Sequence, residues 1–429
     1  MQFAALSFMA IGGPGEEARG TGLEFCPGLA MMRGMIATRF HRKAGFGSRL
    51  LAVGMLSAWI LGLPWSGQGQ QRIRTELTFP NLPDYLTLKC DFHMHTVFSD
   101  GNVWPTVRAD EAWRDGLDVL AITDHIEYVP HRDDIAVKHG RAYELAKPMA
   151  EGLDLILIQG AEITRGEPPG HLNAIFLRDV PALQTEKVED AVQAAVSQGA
   201  FVFWNHPGWK QPQQKSVWYD QQDHFYRNGW LQGIEVVNGD DYDPIAHQWC
   251  LDKQLTMMGD SDVHDPIWMN YDASRGQHRP VTLVFARERT VEGVREALFG
   301  RRTAVYWQDR LIGEAAYLRP LFEASLEYKS RRVNLAGRTR AVLQIHNRAP
   351  IDFVLEADGR ASEATATASV TLAAGKTSMI EVRPAAGNRS GVREVRFPYR
   401  ARNLWIAPNE GLPVELAVSI DFGVPKKAP

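Results

Sequence analysis

The chain has 429 residues, with 47 Lys and Arg against 51 Asp and Glu for a net charge of −4; 45% of residues are hydrophobic and 23% charged. That balance excludes a disordered chain, and an acidic excess suits long nucleic acid poorly. The three cysteines, Cys26, Cys90 and Cys250, form neither a metal-type spacing nor a disulfide framework, so thiol chemistry would rest on a lone Cys without a His partner.

Length predicts two or three domains. In residues 1–70 the basic Arg39, Arg42, Lys43 and Arg49 precede LLAVGMLSAWILGLPW and then the small polar run SGQGQQ. These are the three sections of a secretory signal peptide, so the chain reads as exported, to the periplasm or beyond. The apolar run is short for a membrane span, and an uncleaved N-terminal anchor is the sole membrane contact expected. Met31, Met32 and Met35 are alternative starts. Removing the six Lys/Arg and three Asp/Glu of residues 1–70 leaves 41 against 48, a net charge of −7.

From about residue 80, short apolar runs alternate with amphipathic stretches. The runs include LTLKCDFHMH, DVLAITDH, LILIQGAEI, FVFWNHPG, GIEVVNGD and TMMGDSDVH; TVRADEAWRDGL (Gly116 closing it as C′) and EKVEDAVQAAVSQG read as helices between them. This alternation predicts an α/β domain over residues 71–318 with a largely parallel sheet, closed as a barrel rather than left open. Residues 209–232 read as a loop or irregular insertion over one end. Past residue 319 short alternating runs punctuated by Gly, Pro, Asn and Asp predict an antiparallel β-sandwich to residue 429.

Histidines and carboxylates gather at the ends of the apolar runs. His93 and His95 lie one residue apart in CDFHMHTVFSDG, which puts them on one face of a strand, with Asp100 following. Asp124 and His125 end AITDH, Glu162 lies in GAEIT, His171 in GHLNAI, His206 in NHPG, and Asp262 and His264 in GDSDVH. In a parallel barrel the strand C-termini meet at one rim. Imidazole and carboxylate without thiolate suit Zn, Mn or Fe, and this many ligands would hold two or three divalent ions. His131, His139, His224, His247, His278 and His346 sit in helix or loop contexts and read as structural, with His131 and His224 as the two possible exceptions.

DFHMHT…SDG, TDH, GAEIT, GHLNAI, NHP and SDVH, in that order over residues 80–310, resemble the PHP (polymerase and histidinol phosphatase) superfamily of metal-dependent phosphoesterases. The wording NLPDYLTLKCDFHMHTVFSDGNVWPTVRADEAWRDGLD…TDHIEYVPH is similar to an exported branch acting on alkyl and haloalkyl phosphate diesters. The resemblance implies a distorted seven-stranded (β/α) barrel with up to three divalent ions. It implies one ion on His93, His95, Glu162 and Asp262, a second on the Glu162 bridge with His171 and His206, and a third on Asp100, His125 and His264. Asp124 is expected to orient a ligand rather than bind metal.

The expected reaction is hydrolysis of a small organic phosphodiester to a monoester and an alcohol, by attack of a metal-bridging hydroxide. Arg165 is a candidate for contacting the phosphate, His131 for protonating the leaving alkoxide. Trp204, Trp209, Trp218 and Tyr219 line an apolar pocket or belong to the core, Trp204 to the core. Alternative readings are a phosphomonoesterase, a carboxyl or carbamate ester hydrolase on the same site, an exonuclease, and an exported binding protein with structural metals. Oligomeric state is left open.

Overall fold

The computed structural model describes residues 73–387 and 389–423, so the expected leader over residues 1–70 lies outside the described residues. Among the described residues no helix is long and apolar enough to cross a membrane.

The first half opens with strands β1 Leu86–Asp91, β2 Val119–Ile122, β3 Ile156–Ile163, β4 Leu172–Ile175, β5 Phe201–Trp204, β6 Gly233–Asn238 and β7 Thr256–Asp260. Helices α1 Pro105–Arg114, α2 Arg141–Gly152, α3 Val188–Ser197, α4 Asp220–Arg227 and α5 Pro244–Lys253 fill the crossovers. α1 starts on Pro105, which needs no amide partner there, and buries Ala109 and Ala112. It ends before Gly116, whose φ of 84° fits the C′ position expected for it.

β1, β2 and β3 run parallel, as do β5, β6 and β7. β4 differs: it is antiparallel to both β3 and β5. The short connection from Ile163 to Leu172 leaves no room for the helical crossover that a parallel neighbour requires. Reversal brings the start of β4 to the rim where the other strands end, which carries His171 there.

No ladder joins β1 to β7 along their lengths among the described residues. They meet just past their C-terminal ends instead, through the Met94–Val263 bridge and amide bonds from Asp262 to the His93 carbonyl (2.9 Å) and from His95 to the Val263 carbonyl (3.0 Å). Lower down, strand β8 Val281–Ala286 pairs antiparallel with β1, β9 Thr303–Trp307 pairs antiparallel with β8, and both reach β7 through side chains. Thr282 Oγ1 accepts from the Gly259 amide and donates to its carbonyl, and Thr303 Oγ1 donates to the Met257 carbonyl. The close approach needs glycine, because a Cβ on Gly259 would lie 2.1 Å from Val305 Cγ1.

Arg108 locks the rim from below. Its guanidinium is buried and donates to the carbonyls of His95 (2.8 Å), Val263 (3.0 Å), His264 (2.6 Å) and Asp265 (2.9 Å) and to Glu111 (2.8 Å). One planar cation thus satisfies carbonyls from both ends of the seam.

β10 Arg310–Gly313 and helix α6 Ala315–Ser325 lead into the second half. The boundary expected between residues 318 and 319 falls inside α6. Two sheets follow, one of strands 326–328, 341–347, 377–384 and 364–366, the other of strands 332–334, 410–421, 392–407, 353–357 and 369–372. Most pairs are antiparallel, as expected for a sandwich. Two are parallel, and one of these joins the halves: β10 runs beside strand Val392–Ala407, pairing Leu311 with Leu404 and Ile312 with Trp405. A hydrophobic cluster likewise runs from Leu120 and Phe285 through Phe322 to Phe353 and Leu416.

The segment 209–232 is more ordered than expected. It contains α4, and its Trp218 packs edge-on to Trp204 (6.1 Å) and Trp249 (5.2 Å), with Trp204 wholly buried. Tyr219 donates to Gln211 Oε1 within the same loop. Trp209 alone of the four aromatics named above faces a cleft.

Candidate metal centre

Extended backbone after β1 puts His93 and His95 side by side, their Nε2 atoms 3.1 Å apart. Asp262 Oδ1 lies 3.1 and 3.0 Å from these nitrogens, and Glu162 Oε2 lies 3.4 and 3.3 Å away. With nitrogen and oxygen ligands at about 2.1 Å from an ion, neighbouring donors stand about 3.0 Å apart in octahedral and about 3.4 Å apart in tetrahedral geometry. All five separations fall in that range, so the four residues fit a divalent cation.

Glu162 is fully buried and its oxygens face different groups. Oε1 is 2.8 Å from His171 Nδ1 and 3.8 Å from His206 Nε2, while Oε2 is 2.9 Å from His125 Nδ1. Glu162 Oε2 and His171 Nδ1 are shielded from water, yet neither makes an aligned hydrogen bond. Donors that converge without bonding one another again fit a cation between them. A third group forms around Asp100, whose Oδ2 lies 3.4 Å from His125 Nε2 and 3.3 Å from His264 Nε2; His95 Nδ1 is 3.6 Å from Oδ1. His95, Asp100, His125 and His264 make one set of convergent donors, His93, His95 and Asp262 a second, and His125, Glu162 and His171 a third. Eight of the nine expected ligand residues fall in these sets, with His95 and His125 each shared between two; the ninth, His206, stands beside them with Nε2 3.8 Å from Glu162 and 3.9 Å from Asp262.

Two of these residues have strained backbones: His206 has φ 29° and Asp262 φ 50°. Non-glycine residues persist there only when their surroundings hold them. The His206 amide donates to Glu235 Oε2 (2.8 Å) and the Asp262 amide to the His93 carbonyl.

The local charges are mutually dependent. Burial lowers the proton affinity of His93 and His125, but neighbouring carboxylates outweigh it: Asp262, Glu235 and Glu162 raise His93, and Glu162 and Asp100 push His125 up to about 10. For His95 burial prevails, aided by the positive charge of His125, and brings it down to about 3. Burial raises Glu162, yet the His125 and His93 imidazoliums hold it well below the usual carboxylate range. In the metal-free chain the raised His125 value stabilises the fold fully below its ordinary 6.5, and that contribution is lost as pH rises toward 10. A metal takes neutral imidazole, so loading at pH 7 should release protons, and affinity should fall as pH drops. Calorimetric titration with Mn²⁺ or Zn²⁺ in two buffers of different ionisation enthalpy would read this release. Zero release at pH 7 would remove His125 from the ligand set.

Asp124 bears on a candidate ligand through the backbone. Its carboxylate accepts from the Thr96 amide (2.6 Å), Thr96 Oγ1 (2.7 Å) and Ser99 Oγ (2.8 Å), pinning the turn that carries Asp100. Arg165 lines the cleft, but its guanidinium is ion-paired to Glu127 and donates to the Thr164 (3.0 Å) and Thr185 (2.9 Å) carbonyls. Three of its five N–H donors are committed in this way and its charge is already paired, which argues against the expected role on a phosphate. His131, in the one-turn helix Pro130–Asp133, does not line the cleft, contrary to the role expected of it as a proton donor to substrate.

Two residues that spacing did not single out act on the ligands. Glu235 is buried in β6, with Oε1 2.7 Å from His93 Nδ1 and Oε2 accepting from the His206 amide and Asn238 Nδ2 (2.9 Å). Asn205 Nδ2 donates to Glu162 Oε1 at 3.0 Å. A charged residue amid the apolar GIEVV was the available sign for Glu235. The centre opens into a cleft of about 1300 Å³, lined by residues of 164–171, 206–215 and 235–245.

Residues 326–417 match the family described as an Ig-like domain. The chain is similar to a solved two-domain protein containing a predicted PHP-like metal-dependent phosphoesterase from Bacteroides vulgatus ATCC 8482, at 43% identity and TM-score 0.76, covering 80% of this chain and 99% of that one. A protein described as a metal-dependent phosphoesterase from Bifidobacterium adolescentis ATCC 15703 is 20% identical over 41% of this chain and 87% of its own, with TM-score 0.31. An amidohydrolase from Chromobacterium violaceum with bound sulfate and no metal is 17% identical over 41% and 88%, with TM-score 0.32. The last two likenesses are too slight to carry an argument. No curated protein matches the chain.

Proposed function

The chain belongs to the PHP-like metal-dependent phosphoesterases, and from that membership we propose that it hydrolyses organic phosphodiesters to a phosphomonoester and an alcohol. The observation that carries the reading is the buried Glu162 carboxylate, which presents one oxygen to His93 and His95 and the other to His171. Divalent ions held by these residues and by Asp262 would polarise the phosphoryl oxygens and bring a coordinated water toward neutral pKa. Glu162 and Asp262 supply the negative charge that keeps such ions in place; Asp100, His125 and His264 form a further pocket of donors beside them.

What supports a diester over a monoester is room: a diester has two organic arms to place beside the phosphate and a monoester one, and the cleft of about 1300 Å³ accommodates both arms. Neither Arg165 nor His131 has a role in this reading, for the reasons of geometry above.

The test is to load the purified chain with Mn²⁺ or Zn²⁺ and compare bis(p-nitrophenyl) phosphate, p-nitrophenyl phosphate and p-nitrophenyl acetate. The diester is expected to give the highest kcat/KM. Preference for the monoester would make the protein a phosphomonoesterase, and turnover of the acetate alone would make it a carboxyl ester hydrolase.

A further inference from the structure

The cleft is larger than a phosphate group needs. Its volume of about 1300 Å³ exceeds the roughly 300–1,000 Å³ of ordinary small-molecule pockets. One wall begins at a tight turn after β5. The Trp209 amide donates to the His206 carbonyl at 2.9 Å, with Pro207 and Gly208 between them. A side chain at Gly208 would not fit, because its Cβ would meet the Gln214 carbonyl oxygen at 2.9 Å. The turn therefore fixes Trp209 beside two of the candidate ligands, its ring 4.8 Å from that of His171 and 5.2 Å from that of His206. Lys210 Nζ sits over the indole, 3.7 Å from its centroid.

Held in this way, Trp209 still remains 42% exposed. Other rings are exposed too, Trp104, Tyr128 and Trp268 among them, but Trp209 is held against two candidate ligands, so a ligand meeting it finds the ring already ordered. Val236, Tyr242 and Ile245 line the same cleft, giving an apolar lining that begins next to the metal ligands.

We propose that Trp209 determines substrate specificity, receiving a flat apolar ester group, an aryl ring or one of similar shape, while the phosphate lies at the metal centre. The proposal deepens the phosphodiesterase reading and rests on it for the identity of the reaction, but the subsite can be tested without turnover. Phenylphosphonate and methylphosphonate share an anionic head with no hydrolysable ester bond, and they differ in the ring alone. Calorimetry on the metal-loaded full chain should find the phenyl compound bound about tenfold more tightly or better. Trp209→Ala should erase most of that ratio and Trp209→Phe should keep most of it. The methyl compound controls for any general loss of folding or metal, since such a loss weakens both ligands alike. Equal affinities in the wild-type chain, or a ratio untouched by Trp209→Ala, would overturn the proposal. Turnover of bis(p-nitrophenyl) phosphate is scored separately, so a chain that binds the ring but cleaves no diester would overturn the reaction and leave the subsite standing.

Discussion

Glu162→Ala is expected to lose at least one equivalent of bound metal and at least about a 1,000-fold of kcat/KM. The size follows from position. The two oxygens of Glu162 face separate groups of imidazoles, so one truncation removes a ligand from both. It also removes the buried negative charge on which the protonated state of His93 and His125 depends, leaving imidazoles facing one another in a dry site. Glu162→Gln preserves volume but offers one acceptor, so it is expected to retain metal on one side at most. Elemental analysis after desalting, taken with the rate on the same sample, checks both variants. If Glu162→Ala kept the wild-type metal content and rate, the bridging assignment would fall.

Glu235→Gln is expected to weaken metal binding by about 10- to 100-fold, the usual consequence of disturbing a carboxylate behind a histidine ligand. Glu235 accepts three hydrogen bonds, from His93 Nδ1–H, the His206 amide and Asn238. A glutamine oxygen can serve one side only, and its amide group then points a donor at another donor. The carboxylate also keeps the proton of His93 on Nδ1, which leaves Nε2 free to face Asp262 and Glu162. Competition against a chelator at several pH values measures the loss. A purely structural role would lower the melting temperature without changing how affinity depends on pH, and that outcome would defeat the assignment.

Most of the candidate ligand residues were legible because they lie where an apolar run stops, and parallel strands bring such ends together. His171 is instructive, since it begins a run rather than ending one. It reaches the same rim because β4 is reversed, a consequence of a connection too short for a crossover. Less legible was anything that depends on which atoms a side chain has already committed. Arg165 follows Glu162 by three residues, yet Glu127 is far enough along the chain that no spacing rule reveals their pairing. Glu235 carries no motif, and its importance comes from being buried beside His93, which only the packing of β6 against the end of β1 creates. The sandwich was visible in the alternation of its strands. Its bond to the barrel was not, because parallel pairing between Leu311 and Leu404 links residues that nothing in the local pattern associates.

That bond makes the two lobes mechanically one object. Strand Val392–Ala407 covers the outer edge of β10, and without it the amides and carbonyls around Leu311 and Ile312 would form an open border of the barrel's sheet. Open borders recruit strands from other molecules, so a fragment cut at residue 318 should clump rather than stand as a free-living catalyst. Differential scanning calorimetry of the intact chain should accordingly record a single endotherm; two well-separated endotherms would mean that the shared sheet does not couple its halves.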